Sequence, residues 1–161
     1  KKNAISRRNI MENKYIRKAT EKDVSRVAEI LIFNYRLNFY PIFKSDEYYF
    51  NELQVIDEAK RFYTDKQRFN NTYVYDDGAV KGFITVMNGE VDKLFVEPIL
   101  QGNGIGAQLL EYAIDNCGAE SLWALEKNVR AIEFYSRHGF RHSGEKKLEE
   151  DTDEYLLRLV K

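Results

Sequence analysis

The sequence is short of the residues that most often announce a chemistry by themselves. It has one cysteine, two histidines and two prolines in 161 residues. A single thiol, Cys117, excludes an internal disulfide and any cysteine-rich zinc site. The two histidines, His138 and His142, belong to no cluster with metal-ligand spacing. Long apolar runs are missing as well. None approaches the ~18 residues of a membrane span, and no signal-peptide pattern is present. Charge of one sign is also lacking: 25 Lys and Arg stand against 26 Asp and Glu, for a net charge of −1. That balance argues against electrostatic capture of nucleic acid or of an anionic membrane. These absences leave an ordinary cytoplasmic globular protein as the expectation. At 43% hydrophobic and 32% charged the chain has the composition of a folded domain. Residues 1–10 are polar and basic and precede Met11. They are expected to be a tail, either a native arm or a remnant of expression, and residues 11–161 are expected to form one domain.

Aromatic residues are plentiful, and they concentrate in the first half. Phe33, Tyr35, Phe39, Tyr40, Phe43, Tyr48, Tyr49 and Phe50 all fall between or inside two helical patterns. Lys14 to Lys18 is a short strand. Thr20-Glu21-Lys22-Asp23 has the form of a capping box, and Val24, Val27, Ala28, Leu31 and Tyr35 then share one helical face. Pro41 closes that region. A second helix is expected from Ser45, with Tyr49, Leu53, Ile56, Ala59 and Tyr63 on one face. From Thr72 the period changes to that of strands. Asp76-Asp77-Gly78 and Asn88-Gly89 read as hairpin turns between three consecutive strands, the last running from Glu90 to Val96. Ile105, Leu109, Leu110, Ala113, Ile114 and Cys117 make a helical stripe ended by Gly118. Ser121 to Glu126 is a buried strand. Asn128 can cap a short helix from Val129 to His138 that ends at Gly139. Phe140 to Leu148 and Glu154 to Val160 form a last hairpin. The order is that of a mixed α/β domain without internal repeats.

Three glycines at alternate positions, Gly102, Gly104 and Gly106, stand between the Glu90–Val96 strand and the helix from Ile105. Such a loop aims several backbone N–H groups at one anion, beside the positive end of a helix dipole. A pyrophosphate is the natural ligand. Gly102-x-Gly104-x-x-Ala107 also fits the dinucleotide fingerprint. The strand before it is charged, at Glu90, Asp92 and Lys93, and ends at Pro98; the strands that precede it are hairpin-linked. That setting does not suit a Rossmann turn.

Gln101-x-x-Gly104-x-Gly106 resembles the cofactor loop of the GNAT superfamily of N-acetyltransferases. Leu94-Phe95-Val96-x-Pro98 is similar to that family's fourth strand and its exit. Asn128-x-x-Ala131-x-x-Phe134-Tyr135-x-x-x-Gly139-Phe140 is similar to its second motif, and the order of elements agrees from Tyr15 to Val160. The resemblance implies an α/β, α+β-like mixed sheet, mostly antiparallel and flanked by helices, with splayed fourth and fifth strands. It implies acetyl-CoA (coenzyme A) as cofactor. Residues Gln101, Gly102, Asn103, Gly104, Ile105 and Gly106 would hold the pyrophosphate. The exposed edge at Leu94, Phe95 and Val96 would pair with the pantetheine arm like an added strand. Asn128 and Tyr135 would complete the cofactor site.

The same resemblance implies transfer of the acetyl group to a primary amine by direct attack on the thioester. Tyr135 would protonate the departing thiolate. Glu90 occupies the place of a carboxylate that accepts the amine proton in several relatives, and Asp92 shares its strand face. A backbone N–H near Val96 would meet the oxyanion. His138 and His142 read as structural, and Cys117 as core. The acceptor is expected to be a small-molecule or peptide amine, received between the first two helices and the last hairpin. A homodimer is an expectation at the level of the family. Two other readings remain open at this point: a catalytically idle acyl-CoA-binding module on the same fold, and a dinucleotide-binding enzyme.

Overall fold

A computed structural model describes residues 12–161. The expectation for residues 1–10 lies outside the described residues. Seven strands form one sheet in the order β1-β2-β3-β4-β5-β7-β6. They are β1 Ile16–Lys18, β2 Thr72–Asp76, β3 Val80–Met87, β4 Glu90–Val96, β5 Ser121–Leu125, β6 Arg141–Leu148 and β7 Tyr155–Val160. All neighbours are antiparallel except β4 and β5, which run parallel. The mixed, mostly antiparallel sheet expected from the sequence is therefore the one observed. β7 lies between β5 and β6, so β6 is an edge strand.

Helices cover both faces. One side carries α5 Ile105–Cys117 and α6 Val129–Arg137. The buried stripe of α5 (Ile105, Leu109, Leu110, Ala113) packs on Ile84, Val91 and Leu122 of the sheet. Gly118 ends α5 in the left-handed conformation with φ +66°, where L residues with a side chain are strained. The other side carries α1 Val24–Asn38, whose Val27 and Ile30 pack on Val74, Val80 and Phe83. The capping pattern at its start is realised, since Asp23 accepts the Thr20 backbone N–H at 2.7 Å. Asp23 also accepts Arg17 at 2.7 Å, and Arg17 reaches Asp76 of β2 at 2.8 Å. One guanidinium thus ties the root of α1 to the first two strands. Both carboxyls are held below their usual range, in each case chiefly by the hydrogen bond from Arg17.

The segment from 40 to 70 departs from the expected second helix. It is divided into α2 Tyr40–Phe43, a π-helical turn Glu47–Glu52, α3 Val55–Thr64 and α4 Lys66–Asn70. Leu53 and Gln54 are extended and break the helix. The cause is tertiary: Tyr49 and Leu53 turn inward onto Ile32 of α1, while Ile56 is left 69% exposed. Arg36 of α1 fixes the break by donating to the Tyr49 carbonyl at 3.0 Å. An apolar pattern at helical spacing was present, but packing on α1 wins over helix continuity.

Candidate active site

The parallel pair β4–β5 is short. Only Glu90↔Ser121 and Val91↔Leu122 are in register. From Asp92 onward the two strands carry no ladder between them, while each keeps its other neighbour. The splay has a local origin on β4. Thr85 pairs with Lys93 and Val86 with Val91, so Asp92 is an extra residue, a β-bulge.

The open edge can be read from the ladder. Glu97 donates to the Lys81 carbonyl at 2.8 Å. In an antiparallel pair, bonded and non-bonded residue pairs alternate. Phe95 is therefore bonded to β3, while Leu94 and Val96 turn their amide groups towards the gap. The Val96 carbonyl agrees with this, since its partners are the side chains of Asn34 at 2.9 Å and Gln101 at 3.2 Å.

Beyond β4, a short 3-10 turn Pro98–Leu100 leads to the glycines. Gly102 and Gly104 have φ of +83° and +82°, with open space where a Cβ would stand. Gly104 is the N-cap of α5. Two left-handed residues next to a helix start, bare of side chains, form a concave set of amides suited to an anion. Gly106 is different: a Cβ there would meet Val96 and Phe134 at 3.6 Å, an ordinary contact. The Gln101 side chain points away from the loop, donating to Asn34 Oδ1 at 3.0 Å. Asn103 closes the loop by donating to the Leu100 carbonyl at 2.9 Å.

A cleft of ≈1170 Å³ runs from this loop through the strand opening to the aromatic first half. It gathers Leu94, Phe95, Val96, Gln101, Gly102, Gly104, Ile105, Gly106, Asn128 and Tyr135 on its walls. Asn103 and Glu90 are not among its lining residues. Glu90 sits at the closed end of the β4–β5 pair, opposite Met87 and Ser121. Asp92 does line the cleft, and there its carboxylate accepts from Arg68 Nε at 3.1 Å.

Asn128 caps α6 by accepting the Ala131 N–H at 3.3 Å. On the same helix, the Tyr135 ring rests against Phe134 at 5.2 Å and the buried Phe140 at 5.9 Å. Burial raises the Tyr135 phenol above its ordinary value. His138 stacks on Phe134 at 4.8 Å at the end of α6 and also borders the cleft. Cys117 is half-buried beside Tyr73, and burial raises its thiol.

At the far end, Tyr35 lies edge-on to Phe95 at 5.7 Å and close to Phe39 at 5.1 Å. Tyr48 and Tyr49 complete the wall, their rings 4.9 Å apart. The Tyr49 phenol is pushed up to about 12, mainly by burial, with Tyr48, Tyr35 and Glu149 adding to it. Glu149, Glu150 and Asp151, in the β6–β7 turn, border the same end. Lys93 stands beside Tyr35, its Nζ 5.7 Å from the ring centre. Burial pulls its ammonium down, yet Tyr35 and Asp92 outweigh burial and the net shift is upward. Asn34 and Lys93 were not foreseen as site residues. A lone asparagine on the apolar face of α1 was the available signal for the first.

The sheet thus opens at the parallel β4–β5 pair, beside a glycine-capped helix start. Residues 68–142 match the family described as the acetyltransferase (GNAT) domain. The peptidyl-lysine N-acetyltransferase YjaB of Salmonella typhimurium is 31% identical over 88 residues, covering 54% of this chain and 61% of the relative. Its Escherichia coli counterpart is 29% identical over 76 residues, 47% of this chain and 52% of the relative. The matches thus span between half and two thirds of these relatives. Among solved structures, the apo form of YjaB from Escherichia coli superposes with a TM-score of 0.72 at 23% identity, covering 90% of this chain and 95% of that one. PaiA N-acetyltransferase from Thermoplasma acidophilum, solved with coenzyme A, gives 0.63 at 19% identity, covering 89% and 96%. The chain shares the fold of these two structures. No helix among the described residues is long and apolar enough to cross a membrane.

Proposed function

We propose that the protein is an acetyl-CoA-dependent N-acetyltransferase acting on a primary amine. The observation that carries this reading is the opening of β4 from β5 directly ahead of the left-handed Gly102 and Gly104. The residues present fit coenzyme A. The amides of Gly102 to Gly106 and the start of α5 suit the pyrophosphate. The unpaired Leu94 and Val96 edge suits an extended arm with amides of its own.

The thioester supplies an activated acyl carbon. The chain's task is to orient the amine, steady the oxyanion and handle two protons. The Leu94 or Val96 N–H, facing the gap, is the donor for the oxyanion. As the C–N bond forms and the C–S bond breaks, Tyr135 gives its phenolic proton to the sulfur. Its raised pKa keeps that proton in place across the physiological range. The amine, near pKa ~10.4 when lysine-like, must be neutral to attack. Of the two strand carboxylates, Asp92 lines the cleft and Glu90 does not. We assign proton removal to Asp92, directly or through water, with Glu90 as the alternative acting through water from the closed end.

The aromatic wall of Tyr35, Phe39, Phe43, Tyr48 and Tyr49 suits the methylene stem of a lysine-like acceptor. The carboxylates of the β6–β7 turn suit its cationic surroundings. The peptidyl-lysine acceptors in the names of the bacterial relatives are consistent with such a substrate.

The test is thiol release from acetyl-, propionyl- and succinyl-CoA against a panel of amines that includes lysine peptides. Turnover with acetyl-CoA and a lysine peptide supports the proposal. Tight CoA binding without thiol release for any amine makes the protein an acyl-CoA-binding module instead. NAD binding without CoA binding overturns both. Asp92→Asn is expected to lower kcat about tenfold or more, with Glu90→Gln within about twofold; the reverse order returns the base to Glu90.

A further inference from the structure

We infer that Asn34 of α1 is a positioning residue for the cofactor, although it lies on the acceptor wall. This inference rests on the reading of the cleft as a CoA site. Asn34 is 1% exposed. Its amide donates to the Ile30 carbonyl at 2.8 Å and to the Val96 carbonyl at 2.9 Å. Its Oδ1 accepts from Gln101 Nε2 at 3.0 Å and from Asn38 Nδ2 at 3.4 Å. Every hydrogen-bonding capacity of the side chain is in use. Gln101 also donates to the Val96 carbonyl, at 3.2 Å. Three segments therefore meet at one buried amide: the middle of α1, the end of β4, and the residue that begins the glycine loop.

The consequence follows from the ladder. Past Val91, β4 has no partner on its β5 side. Leu94 and Val96 face the gap, so their two N–H groups and two carbonyls are open. Asn34 and Gln101 occupy both lone pairs of the Val96 carbonyl. The usable edge then holds two donors and one acceptor, the Leu94 carbonyl. An extended arm with amides can engage that edge in fewer ways than it could a bare strand. The same contacts fix Gln101, and through it the entry of Gly102. Asn34 thus sets both where the arm pairs and where the anion-binding amides stand. A buried polar group tied to the backbone in this way is costly to replace.

The experiment is calorimetric titration with CoA, and separately with 3′,5′-ADP, for the full chain and the variants Asn34→Leu, Gln101→Leu and the double variant. Thermal unfolding is recorded for each. Asn34→Leu is expected to weaken CoA about tenfold. The double variant should add less than threefold to that loss, because both residues serve one carbonyl. With acetyl-CoA and an accepted amine, KM for acetyl-CoA should rise while kcat stays within about twofold. Asn34→Asp keeps the acceptor for Gln101 but sets a carboxylate oxygen against the Ile30 and Val96 carbonyls, and should also weaken CoA. Asn34→Leu that unfolds like the wild type and binds CoA equally well overturns the inference. So do losses from the two single changes that simply add. If Asn34→Leu does not fold, Gln101→Leu and Asn34→Asp carry the test alone, and unchanged CoA affinity in both overturns it. Failure of the wild type to bind CoA overturns the cofactor reading itself, which is a separate result.

Discussion

The two ends of the cleft are built by different means. The end proposed for the cofactor is made from backbone. Gly102 and Gly104 offer amides, α5 offers its N-terminus, and β4 offers an unpaired edge. All of it lies between Leu94 and Gly106. The acceptor end is made from side chains brought from α1, the π-helical turn and the β6–β7 turn. Backbone geometry is set by local sequence and tolerates exchange of most side chains. A wall of side chains from distant segments can change its ligand through single substitutions. The difference teaches that, on the proposed function, cofactor recognition rests on local backbone geometry, while acceptor choice rests on side chains from distant segments.

The sharpest way to separate the ends is Tyr135→Phe. It is expected to cut turnover about 100-fold and to leave CoA affinity within about threefold, read by thiol release and calorimetry. Equal losses in both would place Tyr135 in cofactor binding rather than proton transfer. Next is Gly104→Ala. A left-handed alanine costs roughly 1–2 kcal/mol, and open space surrounds the new Cβ. CoA affinity should therefore fall about tenfold, with the acceptor KM unchanged.

The root of the acceptor wall responds to acid. Asp23 is 4% exposed and its folded pKa lies below the ordinary 3.8. Its contribution is present above that value and is lost as pH falls through the folded value. Asp23→Asn should cost about 1 kcal/mol at pH 7, measured by urea unfolding. The difference from wild type should shrink below about pH 4. The smallest effect is expected from Tyr48→Phe, an acceptor KM raised about threefold with CoA binding untouched. A change in CoA binding there would dissolve the distinction between the ends.

The same contrast explains what could be read from the sequence. Asn88-Gly89, Gly118, the Thr20–Asp23 box and the α5 stripe are local signals, and each appears in the structure as expected. The mixed sheet and the positions of the glycine loop and α6 followed from them. The helix break at Leu53–Gln54 did not, because it depends on Tyr49 and Leu53 finding Ile32 and on Arg36 holding a carbonyl. The bulge at Asp92 left no mark in a strand pattern read by strict alternation. It separates the environment of Asp92 from that of Glu90, two carboxylates that sequence spacing treats alike. Asn34 was visible only as a polar residue on an apolar face. Its partners Val96 and Gln101 are more than sixty residues away.

The place of β7 carries a consequence in time. The final strand of the described chain is an inner strand, bonded to β5 on one side and to β6 on the other. During synthesis, β5 has a bare outer edge and β6 has no strand to join until β7 is made. β6 and β7 pair with each other across a short turn, and the sheet is completed only when β7 docks on β5, about thirty residues earlier in the chain. Non-local pairing of this kind slows folding and leaves strand edges open to wrong partners in the meantime. A substitution at Leu159, buried between those neighbours, should therefore be felt in the yield of newly made protein before it is felt in catalysis.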